Sequence, residues 1–158
     1  MYKRILVAID GSQAAKLALE EALKIAKAAQ ATVTAVFVAE HVAQMVDTAS
    51  GLVDEEAHAR ESTAAAIATL EDAGELFEQH HVRGLTRLID AYGEGVVSVL
   101  CRVTEECEAD LVVMGTHGRH GIGRMFLGSV AEAFVRRAEV PVLLVRRSQD
   151  IDEIPSNL

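Results

Sequence analysis

Hydrophobic positions along this chain follow two periods in turn. Short apolar runs rich in β-branched residues recur at Ile5–Ile9, Ala31–Val38, Leu111–Met114 and Val142–Val145. Each reads as a strand covered on both faces. A weaker run, Val82–Ile89, carries Arg83 and Arg87 and reads as a half-exposed edge strand. Between these runs the period lengthens to that of a helix. Ser12 is placed to cap a helix whose apolar positions include Leu17, Ala18, Ala22, Ile25 and Ala26. Lys16, Glu20 and Lys24 fall four apart on its outer face. The spacing also predicts an Ala-rich, acidic helix over 54–80 and another over 96–106, following Gly93-Glu94-Gly95. Helical spacing returns at Val130–Val135.

Strands alternating with helices, with the strands almost wholly apolar, predict an α/β fold: an open parallel sheet with helices on both faces. Residues 1–147 are expected to form a single domain and 148–158 a polar C-terminal tail, since a chain of 158 residues fits one core. His41–Gly51 is expected to be a loop.

The segment between the fourth strand and the helix after it says most about chemistry. From Gly115 to Ser129 there are five glycines in fifteen residues. A glycine-rich turn running into a helix N-terminus is a phosphate-binding arrangement, because backbone N–H groups point outward and the helix dipole favours an anion. In open parallel sheets, ligands bind at the carboxyl ends of the strands. Asp10-Gly11-Ser12 follows strand one and the glycine loop follows strand four. If those strands are neighbours, both segments meet at one crevice, where a nucleotide is expected.

Charge sharpens this picture. The formal net charge is -9, and residues 40–80 hold ten acids against one base, Arg60. Residues 118–147 hold six arginines against Glu132 and Glu139. A basic glycine loop in an acidic protein suits a small anion and argues against nucleic acid, which needs a broad basic surface. No apolar run reaches the ~18 residues of a membrane helix. The N-terminus lacks the apolar core of a signal peptide, so a cytoplasmic location without membrane partners is expected. Cys101 and Cys107 sit six apart, about 240° around a helix, which fits neither a CxxC motif nor a zinc site. They read as buried, reduced thiols.

Two familiar glycine motifs fail. Gly118–Met125 nearly matches GxxxxGK[ST], but Arg124 stands for the lysine and Met125 for the hydroxyl. Gly93-x-Gly95 continues to Ser98, and a dinucleotide fingerprint belongs after strand one. The loop fits G-x2-G-x9-G-[ST] instead, with Gly115, Gly118, Gly128 and Ser129 at the fixed positions. Together with Val7–Ser12, Ala109–Arg119 and Val140–Val145, this makes the chain closely resemble the universal stress protein family over about residues 3–147. One departure is Gly95-Val96, where many relatives have a proline soon after the glycine.

The resemblance implies a five-stranded parallel sheet of order 3-2-1-4-5 and a bound ATP. Asp10 and the Val38 backbone would hold the adenosine end, and Met114 and Gly115 would border the ribose. Gly118, Gly128, Ser129 and Val130 would surround the phosphates. Within the loop, His117 is a candidate to border the phosphates. Arg119 and Arg124 divide evenly between phosphate contact and ordinary surface charge. Asp10 also reads as a turn-stabilising or helix-capping residue. The resemblance further implies a homodimer through strand five, Val142, Leu143, Leu144 and Val145, which would be a sheet edge.

The expected function is ATP-binding regulation in a stress response, with a divalent cation such as Mg or Mn helping to neutralise the phosphates. The alternatives are a slow ATPase and a nucleotide-free dimeric interaction protein. No Ser-His-Asp set, metal-ligand cluster or paired carboxylates stand out, so neither catalytic residues nor protein metal ligands are assigned. No particular protein partner is implied.

Overall fold

The computed structural model describes residues 1–40, 55–118 and 127–146. In chain order its elements are β1 (Arg4–Ile9), α1 (Gln13–Ala29), β2 (Thr32–Ala39), α2 (Glu55–His80) and β3 (Gly84–Asp90). There follow α3 (Val96–Glu106), β4 (Leu111–Gly115), α4 (Ser129–Arg137) and β5 (Val142–Val145). The strands form one parallel sheet in the order β3-β2-β1-β4-β5. β1 and β4 are neighbours, with Val7 beside Val113, so the condition for a shared crevice is met. The His41–Gly51 loop, Arg124 and the 148–158 tail lie outside the described residues.

The period of two along each strand splits the core into two layers. Ile5, Val7 and Ile9 of β1, with Val33 and Phe37 of β2, pack beneath Leu19 and Leu23 of α1. Leu6 of β1, Val36 of β2 and Val112 of β4 face the other way, onto Val99 and Val103 of α3 and Phe134 of α4. Alternate residues serve opposite layers, which is why the runs are apolar throughout.

Local chemistry sets where the elements end. The Ser12 hydroxyl accepts a 3.2 Å hydrogen bond from the Ala15 N–H and caps α1. At its other end Gln30 takes a left-handed conformation at φ 53°, and the Ala31 N–H reaches the Ala26 carbonyl at 2.9 Å. Gly84 opens β3 for a steric reason, because a β-carbon there would lie 2.2 Å from the Phe77 ring of α2.

β3 is the exposed edge that its arginines suggest, with Leu85 at 64% exposure. Arg87 donates to Glu106 at 3.0 Å and to the Cys107 sulfur at 3.4 Å, tying β3 to the end of α3. Hydrogen bonds from Arg102 and Arg87 hold the Glu106 carboxyl below its ordinary pKa. Both cysteines are free, as expected, but half-buried rather than buried.

Candidate functional site

The carboxyl end of β1 turns sharply. Gly11 adopts φ 81°, which a side chain would resist. Asp10 closes the turn, with its Oδ1 accepting the Ser12 N–H at 2.8 Å. The turn-stabilising reading of Asp10 is therefore correct. Its second oxygen faces the glycine loop: a β-carbon on Gly118 would lie 2.9 Å from Asp10 Oδ2.

Two glycines shape the end of β4. A β-carbon on Gly115 would come within 2.8 Å of the Ala14 β-carbon, so glycine here lets the strand pass under α1. Thr116 follows, 5% exposed, and its carbonyl accepts the Gly128 N–H at 2.7 Å. This bond joins the two shoulders of the glycine loop into a neck. Gly128 has φ -59° and ψ 150°, which any residue tolerates. Space requires glycine there, because a β-carbon would meet the Thr116 carbonyl oxygen at 2.9 Å. α4 then starts at Ser129 with no side-chain cap on its first turn. Its leading N–H groups have no acceptor within the helix and suit an anion.

These segments surround a cleft of about 530 Å³ at the carboxyl ends of β1, β2 and β4. That lies within the ~300–1,000 Å³ usual for small-molecule sites. Asp10 from β1, Val38 from β2, and Met114 and Gly115 from β4 all line it. His117 and Gly118 at the near shoulder, and Gly128, Ser129 and Val130 at the far one, line it too. Arg119 lies outside the described residues.

Sequence reasoning missed several lining residues. Val96 and Leu100 of α3 add an apolar wall, and Glu40 and Ser62 add polar groups. Val96 and Leu100 look like ordinary core positions in the sequence, and Ser62 belongs to a helix that gives no local hint of the cleft. Thr116 could have been noticed as the residue between two named glycine-loop positions.

The cleft is chemically divided. Gly118, Gly128 and the start of α4 line one part of it, whereas Val38, Val96, Leu100 and Met114 offer an apolar surface. Asp10 and Glu40 supply carboxylate acceptors. The His117 Nδ1 lies 3.0 Å from the Thr116 hydroxyl, and its Nε2 is buried with no hydrogen-bond partner among the described residues. Among the described residues no three His, Cys, Asp or Glu side chains group as a metal site, and no helix is long and apolar enough to cross a membrane.

Comparison with known proteins follows the same lines. A family model described as the universal stress protein family matches residues 1–146. A universal stress protein of Methanocaldococcus jannaschii is 32% identical, over 93% of this chain and 84% of its own. A solved structure from the universal stress protein family of Burkholderia pseudomallei is 34% identical, with a TM-score of 0.72 over 91% of this chain and 96% of that one. The universal stress protein from Archaeoglobus fulgidus, solved in complex with dAMP, shares the fold at 22% identity. Its TM-score is 0.67, over 91% of this chain and 98% of that one.

Proposed function

The chain belongs to the universal stress protein family, and from that premise we propose that it is an ATP-binding regulatory protein of the stress response. One observation carries the proposal. Segments from β1, β2, β4 and α4, far apart in sequence, converge on one cleft with an apolar wall and the uncapped start of α4 along it. The adenine ring lies against Val38 and Met114, and the ribose lies near Asp10 and Gly115. The phosphates lie over Gly118, Gly128 and the first turn of α4. The dAMP complex of the Archaeoglobus fulgidus relative supports an adenine nucleotide.

A Mg²⁺ ion fits this arrangement as a companion of the triphosphate. Mg²⁺ commonly keeps several waters and uses one or two carboxylates beside phosphate oxygens. No side chain of the chain is assigned to that ion, which would be held by the phosphate oxygens and water. Its part is to neutralise phosphate charge; binding, orientation and shielding fall to the chain's own residues.

The family assembly is proposed as well. β5 closes one side of the sheet and pairs with β4 alone among the described strands. A second copy adding its own β5 would make a twofold homodimer.

The deciding experiment is mass analysis of small molecules released by heat from protein purified without added nucleotide. An adenine nucleotide, present near one per chain, is the expected result. Release of none, together with no calorimetric binding of ATP at millimolar concentration, would reject the function.

A further inference from the structure

α2 is longer than the sheet it covers. Its 26 residues span ~39 Å at ~1.5 Å per residue, whereas the 8 residues of β2 span ~26 Å at ~3.3 Å per residue. The surplus of ~13 Å is about nine helical residues, and the nine consecutive residues 57–65 are all exposed. None of them belongs to either core layer, while Ala66, Ala73 and Phe77 further along are buried. The helix leads from the end of β2 back to the start of β3, so its N-terminal third stands at the carboxyl ends of the strands, where the cleft opens. One residue of that third enters the site. Ser62 lines the cleft, four residues from buried Ala66 and on the same face of the helix.

A helical stretch this short draws little stability from itself, since tertiary packing holds most helices in place. Stretches outside the core open locally at low cost and are the ones a ligand can order. The sheet order says which part of a nucleotide would do so. α2 packs on β2 and β3, and β1 separates β2 from β4. Ser62, with Glu40 just past β2, therefore lies at the end of the cleft away from the glycine shoulders of β4 and α4. That end meets the nucleoside, and a serine hydroxyl there can donate to or accept from its ring nitrogens and ribose oxygens. We propose that the N-terminal third of α2 reads whether the cleft is occupied. The nucleoside half of a bound adenine nucleotide packs against Ser62 and docks residues 57–65, which are loosely held when the cleft is empty. This rests on the nucleotide reading of the cleft and adds to it a conformational output.

Hydrogen–deuterium exchange of the full chain, with ATP, adenosine and inorganic tripolyphosphate as probes, tests this. Saturating ATP is expected to slow exchange of the amides of 59–65 about fivefold or more, the lower end of coupling between two sites. Amides of 70–80, in the part of α2 that packs on the core, are expected to keep their rates. Adenosine at saturation is expected to reproduce the effect, and tripolyphosphate is not. Coupling is reciprocal. The double variant Ala59→Gly, Ala64→Gly loosens the exposed third without altering a residue that lines the cleft, and it is expected to lower ATP affinity severalfold in calorimetry. ATP binding with unchanged exchange over 59–65, equal slowing over 70–80, the same protection from tripolyphosphate, or a double variant that binds ATP as tightly as the wild type would each overturn the role of α2 while leaving nucleotide binding intact. Wild-type protein that binds neither ATP nor adenosine would overturn the nucleotide reading itself, and this proposal with it.

Discussion

Asp10 and Gly118 come from segments more than a hundred residues apart, yet a β-carbon on Gly118 would lie 2.9 Å from Asp10 Oδ2. Gly128, its counterpart across the neck, would instead press a β-carbon on the Thr116 carbonyl oxygen at 2.9 Å and on the His117 Cα at 3.3 Å. The two motif glycines thus avoid different obstacles. One neighbour is the end of a side chain that can swing aside, and the other is backbone at the neck of the loop.

Gly118→Ala is therefore expected to preserve the fold and to weaken ATP binding at least about tenfold, by obstructing phosphate approach and displacing Asp10. Gly128→Ala is expected to cost stability as well, on the order of 1–3 kcal/mol for forced overpacking. Thermal melting beside calorimetric titration separates the two. Unchanged ATP affinity in folded Gly118→Ala protein would remove Gly118 from the phosphate site.

Asp10 has two roles, so replacing it by alanine mixes them. The variant loses the acceptor of the 2.8 Å bond from the Ser12 N–H, a cost of about 0.5–1.5 kcal/mol. Asp10→Asn keeps an oxygen for that turn and removes the charge. It is expected to melt close to the wild type and to bind ATP about tenfold more weakly. An Asp10→Asn protein that binds ATP normally would confine Asp10 to the turn.

Gly84 offers a control away from the cleft. Its β-carbon would sit 2.2 Å from the Phe77 ring, and that ring is 5% exposed in the layer under α2. Gly84→Ala is expected to destabilise the protein by about 1–3 kcal/mol without a specific effect on nucleotide affinity. Chemical denaturation measures the first effect and titration of the folded protein the second. A variant as stable as the wild type would show that α2 can shift away from β3 at little cost.

Much of this architecture is legible in the sequence, for a physical reason. Strands buried on both faces leave unbroken apolar runs, so β1 and β4 stand out directly; β5 is as apolar in sequence but is a half-exposed edge, not a strand covered on both faces. The edge position of β3 shows in Arg83 and Arg87. Strand order is different: periodicity cannot express which strands pair, and here it came from the family pattern around the glycine loop. The cleft was legible where backbone geometry restricts residue type, at Gly118 and Gly128. It was illegible at Val96, Leu100 and Ser62, where a helix surface meets the site only after folding. The family resemblance implies a place for Gly115 beside the ribose, and it lines the cleft; the tight approach of Ala14 of α1, which also demands glycine there, has no signal in the sequence.

The dimer prediction turns on which leucine of β5 faces outward. Leu144 packs with the α3 and α4 layer, together with Val142, whereas Leu143 is 36% exposed. A lysine at Leu144 would therefore disturb the core of its own chain as well as any interface, and Leu143 is the cleaner probe. Wild-type protein is expected to be a homodimer at tens of micromolar, because a free apolar edge strand recruits another strand. Leu143→Lys places a charge on that edge in each copy, and the twofold axis brings the two charges together. The variant is expected to shift toward monomer with little loss of melting temperature at low concentration. Analytical ultracentrifugation over a concentration series reads both states. A wild-type protein that stays monomeric at tens of micromolar, or a Leu143→Lys variant that dimerises as tightly as the wild type, would sink the β5 interface.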